Sequence, residues 1–419
     1  MFAKKQAEVL VAGAGPVGMF TAAELTRKGI DVVVADEELQ GAGMSYALAL
    51  HPTTMELLDN LDLAHVVAES AYRVRRLAFY EKGGRVATMD FDRLPVLYPF
   101  LAMFPQSALE RLLEDYLRRH KAKVRWQTRV AGFETGEDGV VATLEKWGED
   151  SLGYGVAHTE RVVEKTSRLG ARFVVGADGH ESSTRSSLNI SSETVEEGSL
   201  FAVFEFVTDA DLNGEASVVL NPDSTNVLWP LPGRRARWSF QLTDPDELPG
   251  ERIKSRLSVL GRWQLPQLSE DRLAAFIEER APWFTGRVEE VIWSVAIRFG
   301  QRLADRFGGG RVWLAGDAAH LAGPVGMHSM NVGFREGRDL AEKIRRVLHD
   351  DVPLHTLDAY DAERRAEWRR LLDLDRSLRA TEKAPEFVRR NARRVLSCTP
   401  ASGTPLEALL AQVGLEFAG

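Results

Sequence analysis

The pattern of hydrophobic and polar residues near the N-terminus predicts a strand, a loop, a helix and a second strand. Residues 8–12 and 32–35 are short apolar runs, and residues 19–28 carry apolar side chains at helical spacing. The loop between the first run and the helix contains three glycines; its residues are Gly13, Ala14, Gly15, Pro16, Val17 and Gly18. Two buried strands joined through a helix are typical of a parallel βαβ unit.

Two later apolar runs end abruptly at a carboxylate. Residues 171–176 stop just before Asp178, and residues 311–315 stop just before Asp317, which precedes a glycine-containing loop and a helix predicted over 330–345. A carboxylate at a strand end accepts hydrogen bonds from hydroxyls, and a helix N-terminus offers free N–H groups. The pattern therefore suits a ligand with a phosphate or a ribityl chain. The alternative is an ordinary βα unit in which Asp317 caps the helix.

From about residue 200 the pattern changes to short strands rich in aromatic and β-branched residues, predicted over 201–207, 216–220, 226–231, 237–242 and 291–299. Their alternation predicts an antiparallel sheet with one covered face, inserted into the first domain. We predict four segments: a nucleotide-binding domain in two parts, 1–184 and 300–350, the inserted sheet domain, 185–299, and C-terminal helices, 351–419. The charged helical pattern over 357–396 predicts a solvated face without an assigned function.

The amino-acid composition argues against several classes of protein function. A chain of 419 residues, 44% hydrophobic and 27% charged, is typical of a globular protein with more than one core. A net charge of -8 argues against nucleic acid as a partner, and no apolar run reaches membrane-spanning length. Cys398 is the single cysteine and the histidines lack ligand spacing, so we predict no disulfide within the chain and no metal site. The N-terminus leads directly into a strand, which predicts a cytoplasmic location without a signal peptide.

The first loop has the context of a dinucleotide fingerprint, because strand, helix, second strand and acid all follow in order. In this reading Gly13 permits the tight turn, Gly15 lets the backbone approach a pyrophosphate, and Gly18 allows helix and strand to pack closely. Asp36, or Glu37 beside it, would accept hydrogen bonds from ribose hydroxyls. Gln106, just before a helix predicted over 108–120, could donate to a phosphate or a ring carbonyl; the alternative is a capping or surface glutamine.

These three motifs, in this order over about the first 345 residues, resemble the single-component FAD-dependent aromatic hydroxylases (group A flavoprotein monooxygenases, para-hydroxybenzoate hydroxylase type). The resemblance implies an α/β fold: a Rossmann-like FAD-binding domain with an inserted antiparallel-sheet substrate domain, followed here by a C-terminal helical segment. It implies catalytic positions at Pro324 and His328, although a structural hydrogen bond is the alternative for His328. The implied cofactor-binding residues are Gly13, Ala14, Gly15, Pro16, Val17, Gly18, Asp36, Glu37, Gln106, Asp178, Asp317, Pro324, Gly326, Met330 and Asn331.

The activity implied by the resemblance is hydroxylation of an electron-rich aromatic, polyketide or quinoline-like small molecule through a flavin hydroperoxide. The expected cofactors are FAD and NAD(P)H, and the expected partners are the aromatic substrate and molecular oxygen. This chain departs from the family at two places. Tyr46 stands where the family has an arginine, and Met327, His328 and Ser329 stand where the family has smaller residues around a glutamine.

Two rival functions share parts of this pattern. A flavin-dependent halogenase has the same fold, but its Trp-x-Trp-x-x-Pro motif is absent around Trp229. A flavoprotein that binds a metabolite without oxygen chemistry is the rival from another class, and detection of a hydroxylated product would exclude it. The sequence indicates no general base. Polar side chains that could contact a substrate are His51, Tyr72, Tyr98 and Arg298, and a structural role is the simpler explanation for each.

Overall fold

The computed structural model describes residues 6–39, 49–152, 158–243 and 268–418. The helices described are α1 (Pro16–Arg27), α2 (Pro52–Asp59), α3 (Ala64–Ser70), α4 (Gln106–Arg119), α5 (Ser183–Ser187), α6 (Glu270–Arg280), α7 (His328–His349), α8 (Asp358–Leu371), α9 (Glu386–Arg390), α10 (Ala392–Cys398) and α11 (Thr404–Gln412). The strands described are β1 (Gln6–Ala12), β2 (Val32–Ala35), β3 (Ala49–Leu50), β4 (Tyr72–Val74), β5 (Arg76–Glu81), β6 (Gly84–Asp90), β7 (Leu101–Met103), β8 (Lys123–Arg125), β9 (Thr128–Thr135), β10 (Val140–Leu152), β11 (His158–Gly176), β12 (Ser192–Thr208), β13 (Glu215–Leu220), β14 (Thr225–Leu231), β15 (Arg235–Leu242), β16 (Val288–Ala304), β17 (Gly308–Gly309), β18 (Val312–Leu314), β19 (His320–Leu321), β20 (Leu378–Ala380) and β21 (Leu415–Phe417).

The first sheet has the order β17-β18-β11-β1-β2-β8, and its strands from β18 to β8 are parallel. β1 is apolar on both faces because both are covered: Val9 and Val11 pack with the helices, and Ala7, Leu10 and Ala12 pack with side chains of β9, β10 and β11. α1 and α7 pack together on one side, where Phe20 and Phe334 stack with ring centroids 4.4 Å apart. The carboxyl ends of β1, β11 and β18 lie side by side, as shown by hydrogen bonds from Ala177 N to Ala12 O and from Ala315 N to Gly176 O. The three sequence motifs therefore meet at one edge of the sheet.

The second sheet has the order β19-β16-β12-β15-β14-β13-β5-β6 and is antiparallel except where β13 runs parallel to β5. It extends beyond the predicted inserted domain, 185–299. β5 and β6 come from the segment assigned to the first domain, and β16 continues to Ala304. The buried side chains of Leu77 and Phe79 explain why β5 joins this sheet, since they need the apolar cover that it provides. With this extension, the predicted fold class is confirmed.

The observed secondary structure differs from the prediction mainly in the C-terminal segment. β9, β10 and β11 form an antiparallel extension of the first sheet, and the connection between β10 and β11, residues 153–157, lies outside the described residues. α8 is not a purely solvated helix, because Tyr360 and Trp368 are fully buried beneath the first sheet's edge. None of the helices described is long and apolar enough to cross a membrane. Within the described residues, no three His, Cys, Asp or Glu side chains cluster as metal ligands would.

Candidate cofactor and substrate site

The loop after β1 contains two glycines that its own packing requires and one that it does not. A Cβ atom on Gly13 would lie 2.1 Å from the carbonyl oxygen of Ala177, and one on Gly18 would lie 2.1 Å from the carbonyl oxygen of Gly13. A Cβ atom on Gly15, in contrast, would have nothing within 4 Å. Gly15 is the N-cap of α1, where the first N–H groups lack partners within the helix. The open space in front of Gly15 therefore suits a phosphate.

The other residues of this loop serve the fold. The N–H of Ala14 donates to Oδ2 of Asp36 at 2.6 Å, and Pro16 occupies the first turn of α1, where its missing N–H costs nothing. Val17 is buried and packs 3.1 Å from the Cβ position of Gly316. The side chains of Ala14 and Val17 are thus committed to packing. The predicted cofactor contacts of Ala14 and Val17 stay predictions.

The predicted ribose acids lie at the end of β2. Asp36 is half-buried, and besides the Ala14 bond its Oδ1 accepts the N–H of Glu38 at 2.8 Å. Each oxygen therefore keeps one lone pair for a hydroxyl. Glu37 is exposed beside it. Binding of ribose by Asp36 or Glu37 stays a prediction.

Asp178 organises its own loop instead of presenting a free carboxylate. Its Oδ1 accepts the hydroxyl of Ser182 at 2.5 Å, and its Oδ2 accepts the hydroxyl of Ser183 and both the N–H and the hydroxyl of Thr184 at 2.9 to 3.1 Å. Four donors use most of the lone pairs of the carboxylate. Asp178 therefore orders the turn that leads into α5, and its predicted contact with a cofactor stays a prediction.

Arg185 joins this loop to the one that contains Asp317. Its guanidinium donates to the carbonyl oxygen of Ala318 at 2.8 Å and to the carbonyl oxygen of His180 at 2.9 Å. Burial lowers the pKa of Arg185, and Asp178 acts in the opposite direction. A guanidinium does not deprotonate near neutral pH, so the charge persists. Two strand ends of the sheet are thus fixed relative to each other by one cation.

Asp317 lies in a short 3-10 turn, Gly316–Ala318, directly after β18. Its side chain is accessible from the cleft, and none of the described residues forms a hydrogen bond with its carboxylate. The surrounding protein nevertheless excludes enough water to raise the pKa of Asp317; His320 and His180 oppose this shift, and Glu336 adds to it. A partly desolvated carboxylate without a donor is costly to the fold alone. It fits a ligand that supplies hydroxyl donors, as a ribityl chain does.

The loop before α7 is fixed by Asn331. Its Oδ1 accepts the N–H of His51 at 2.8 Å and the hydroxyl of Thr54 at 2.7 Å, while its Nδ2 donates to the carbonyl oxygens of Ala49 and Met327. Because all four hydrogen-bonding valences of the amide are filled by protein, the side chain is not free for a cofactor. The side chain of Asn331 thus positions the loop, and the predicted contact of this residue with a cofactor stays a prediction.

Two buried histidines lie behind the same loop. Nε2 of His51 is 3.0 Å from the carbonyl oxygen of Gly326, and Nε2 of His328 is 2.9 Å from the carbonyl oxygen of Thr399. Burial lowers the pKa of His51 well below its ordinary value and lowers that of His328 to about 4. Both rings are therefore neutral donors to carbonyl groups near neutral pH. The bond to Thr399 supports the structural alternative for His328, and its predicted catalytic role stays a prediction.

The bulky residues that replace the family's small ones are largely engaged by the protein. His328 is buried, although it borders the cavity described below, and the hydroxyl of Ser329 accepts the N–H of Ala322 at 3.0 Å. Met327 and Met330 are partly buried against the core. A Cβ atom on Gly326 would lie 2.5 Å from the carbonyl oxygen of Ser397, so this glycine is required by contact with α10. The backbone of the loop and Pro324 remain to face a ligand, while Tyr46 lies outside the described residues.

Gln106 begins α4, where its Nε2 donates to Oε1 of Glu110 at 2.8 Å. Binding of a cofactor through the Gln106 amide stays a prediction that requires this bond to be shared or exchanged. The other polar candidates make structural bonds. Tyr72 accepts the N–H of Gly214, Tyr98 donates to Asp59, and the guanidinium of Arg298 donates to the carbonyl oxygen of Gly198.

A cavity of about 520 Å³ adjoins the loop that contains Pro324. Phe201 and Phe299 form part of one wall, with ring centroids 5.7 Å apart. The opposite wall comes from the C-terminal segment, which the sequence left without a function. It contributes side chains from α8 to α10, namely Trp368, Leu371, Leu372, Arg393, Arg394, Ser397 and Cys398.

Two polar side chains of this cavity make few or no hydrogen bonds to the described residues. The side chain of Gln301 makes none to them, and its Nε2 lies 3.7 Å from the Cβ position of Gly323. Arg393 is exposed and makes only a long bond, 3.4 Å, to the carbonyl oxygen of Leu372, with no carboxylate partner among residues 6–39, 49–152, 158–243 and 268–418. Neither residue carries a local motif, so the sequence alone gave no signal for them.

Strand-end carboxylates, an open glycine loop at a helix N-terminus and an adjoining cavity together define a dinucleotide-binding α/β protein with a second ligand site. The chain belongs to the FAD binding domain family, which matches residues 6–375. Within that family it is a member of the FAD-binding aromatic hydroxylases, the group A flavin monooxygenases. The predicted cofactor FAD is therefore confirmed, and the unpartnered Asp317 and the space before Gly15 fit it.

Several characterised proteins resemble the chain. The 6-methylpretetramide 4-monooxygenase of Streptomyces rimosus is 29% identical over 375 residues, which are 89% of this chain and 62% of that protein. The pentachlorophenol 4-monooxygenase of Sphingobium chlorophenolicum is 27% identical over 383 residues, 88% of this chain and 63% of that protein. The chain thus spans less than two thirds of the length of these relatives. The crystal structure of p-nitrophenol 4-monooxygenase from Pseudomonas putida DLL-E4 superposes with a TM-score of 0.71 at 22% identity, covering 98% of this chain and 97% of that one.

Proposed function

We propose that this protein is an NAD(P)H-consuming, FAD-dependent monooxygenase that hydroxylates an electron-rich aromatic, polyketide or quinoline-like small molecule. The observation that carries the proposal is the position of the cavity. It adjoins Pro324 and the loop before α7, next to the turn that presents Asp317. A substrate in the cavity would therefore lie beside the cofactor cleft.

Each part of the cleft supports a different part of the cofactor. The space before Gly15, with the first N–H groups of α1, suits the pyrophosphate, and Asp36 suits the adenosine ribose. The carboxylate of Asp317 would accept hydrogen bonds from the ribityl hydroxyls. The first turn of α7 would direct its free N–H groups and its dipole towards the flavin ring, where they would stabilise negative charge. FAD would supply the redox chemistry, taking a hydride from NAD(P)H and activating molecular oxygen.

The cavity indicates what the protein itself would do for the substrate. A volume of about 520 Å³ lies within the range of sites for drug-sized ligands, so it admits a fused-ring compound as well as a simple phenol. Phe201 and Phe299 would hold an aromatic ring and keep water from it. Gln301 and Arg393 would contact oxygen substituents of the substrate. The relatives are named as monooxygenases of 6-methylpretetramide, pentachlorophenol and p-nitrophenol.

The test uses the whole protein with a panel of phenols and fused-ring phenols, with NADH and NADPH compared for each. The expected result is a flavin spectrum, oxidation of one nicotinamide cofactor that a panel compound accelerates, and a product carrying one oxygen atom from ¹⁸O₂. Acceleration only when a separate reductase is added would contradict the single-component mechanism. A compound that binds without cofactor oxidation or product would favour the rival function, a flavoprotein without oxygen chemistry.

A further inference from the structure

A fully buried carboxylate, Glu336, stands behind the turn that presents Asp317. It lies on α7 and accepts three hydrogen bonds from separate parts of the chain. Its Oε2 accepts the N–H of Gly316 at 2.8 Å and Nε2 of His320 at 2.9 Å, and its Oε1 accepts the indole N–H of Trp368 at 2.7 Å. The carboxylate therefore touches the backbone of the residue immediately before Asp317.

Glu336 is ionised in this environment. Burial acts to raise its pKa, but the interaction with His320 and the hydrogen bonds from Gly316 and Trp368 outweigh it, so that the pKa is lowered. Hydrogen bonds to a charged acceptor are stronger than those between neutral groups. The charge of Glu336 thus provides a strong anchor for the Gly316 N–H. Gly316 has a φ of 65°, and the Cβ of another residue there would press on Val17.

Helix α8 supplies the other half of this anchor. Besides the indole bond from Trp368, the hydroxyl of Tyr360 donates to the carbonyl oxygen of Leu314 at 2.8 Å. The carboxylate of Asp361 accepts the N–H of Phe307 at 2.6 Å. The ring of His320 also stacks on Trp368, with centroids 3.8 Å apart. Side chains of one C-terminal helix therefore hold the end of β18, the nearby residue Phe307 and, through Glu336, the turn that presents Asp317.

We propose that Glu336, held by the indole N–H of Trp368 from α8, is a positioning residue that sets the Gly316–Asp317 turn for FAD. Loss of the Trp368 bond would leave Glu336 with two donors and a desolvated oxygen. The carboxylate would then shift, and the Gly316 N–H would follow it. The proposal rests on FAD contacting Asp317, as in the proposed function, but it does not depend on oxygen chemistry. The C-terminal segment thereby becomes part of the cofactor site.

The test titrates FAD into the apo-protein of the full chain and compares Trp368→Phe with Trp126→Phe. Phenylalanine at 368 keeps an aromatic ring against His320 but removes the N–H donor and part of the ring volume. Trp126 is the control for the same chemical change, because its indole donates to Glu114 at 3.0 Å and not to Glu336. We expect the FAD dissociation constant to rise about tenfold for Trp368→Phe and to stay unchanged for Trp126→Phe.

ADP serves as a second probe, which distinguishes a misplaced Gly316–Asp317 turn from a general loss of order in the cofactor cleft. It should occupy the Gly15 and Asp36 end of the cleft without reaching Asp317. If Glu336 and Trp368 act through the turn, Trp368→Phe weakens FAD but leaves the ADP affinity nearly unchanged, although the melting temperature of the apo-protein falls because the lost bond is fully buried. Glu336→Gln, if it folds, should show the same selective loss. Unchanged FAD affinity in Trp368→Phe, or an equal loss for FAD and ADP, would overturn the proposal. Neither outcome would depend on whether the enzyme hydroxylates a substrate.

Discussion

Thr54 on α2 and Asn331 on α7 lie 277 residues apart in sequence, yet the Thr54 hydroxyl donates to Asn331 Oδ1 at 2.7 Å. The same amide also binds three backbone groups, so a single buried side chain joins β3, α2 and the loop before α7. Replacing it with alanine would leave buried donors and acceptors without partners. We expect Asn331→Ala to lower the free energy of unfolding by about 3 kcal/mol in urea denaturation. Asn391→Ala, which removes a partly buried bond to Phe387 and a long bond from Arg394, should cost about 1 kcal/mol; equal losses would contradict the assigned role of Asn331.

In the loop after β1, we expect Gly15 to matter for FAD binding and Gly18 to matter for folding. Gly15→Ala should fold normally, because its φ is -68° and its Cβ would meet no protein atom, but the added methyl group would occupy the space assigned to the pyrophosphate. We expect FAD affinity to fall at least about tenfold with little change in the melting temperature. Gly18→Ala should instead destabilise the apo-protein by about 2 kcal/mol, because its Cβ would overlap the carbonyl of Gly13. The reverse order of effects would refute the placement of the pyrophosphate.

Asp317 should matter for the cofactor and not for the fold. Its carboxylate is partly desolvated and has no hydrogen-bond donor within the described residues, so Asp317→Asn removes a charge that the apo-protein gains nothing from holding. We expect the melting temperature of the apo-protein to stay the same or rise, while FAD binds at least about tenfold more weakly. Asp305→Asn, at an exposed carboxylate of the neighbouring loop, is the control. Tight retention of FAD by Asp317→Asn would remove Asp317 from the site.

Stability should fall as the pH is lowered from neutrality, partly through His328. The unfolded histidine takes up a proton below its ordinary pKa of 6.5, whereas the buried ring stays neutral until about pH 4. Its contribution is therefore complete above pH 6.5 and is lost as the pH falls towards about 4, and His51 acts in the same direction. Between about pH 7.5 and about pH 5, His328→Gln should lose about 2 kcal/mol less stability than the parent protein. His65→Gln, at an exposed position on α3, should lose as much as the parent.

Arg393 should affect substrate recognition. Its guanidinium reaches the cavity with no carboxylate partner in the part of the chain that the structure describes, and so it can meet an oxygen substituent of the substrate. With the most active panel compound, we expect Arg393→Gln to raise KM about tenfold and to change kcat little. Arg390→Gln, which breaks a pair with Glu81 outside the cavity, should leave both constants unchanged. A fall in kcat with constant KM would assign Arg393 a different role.

The fold and the cofactor cleft could be predicted because their signals are local. Strand, glycine loop, helix and acid follow each other within residues 8–36, and the two later strand ends carry their carboxylates with them. Parallel strands bring such ends to one edge of a sheet without further information. The direction of a side chain in a loop is not local. His328 points into the core because Thr399 offers a carbonyl there, and the sequence does not encode that contact by spacing.

The sequence did not predict the C-terminal wall of the cavity either, because this wall forms by packing against residues that are far away in the chain. Glu336 is a different case, for which a signal existed. It lies on one helical stripe with Val332 and Leu340, and all three side chains are fully buried. A carboxylate in an apolar stripe indicates either a buried partner or a binding role. The predicted cytoplasmic location and the choice between NADH and NADPH stay predictions.

The family match ends at residue 375, but Arg393, Arg394, Ser397 and Cys398 of the cavity lie after it. In the proposed function, the residues that would hold the nucleotide lie inside this match, whereas part of the cavity wall lies after it. Because Ser397 and Thr399 also contact Gly326 and His328, substitutions in this last segment would affect both the cavity and the loop before α7.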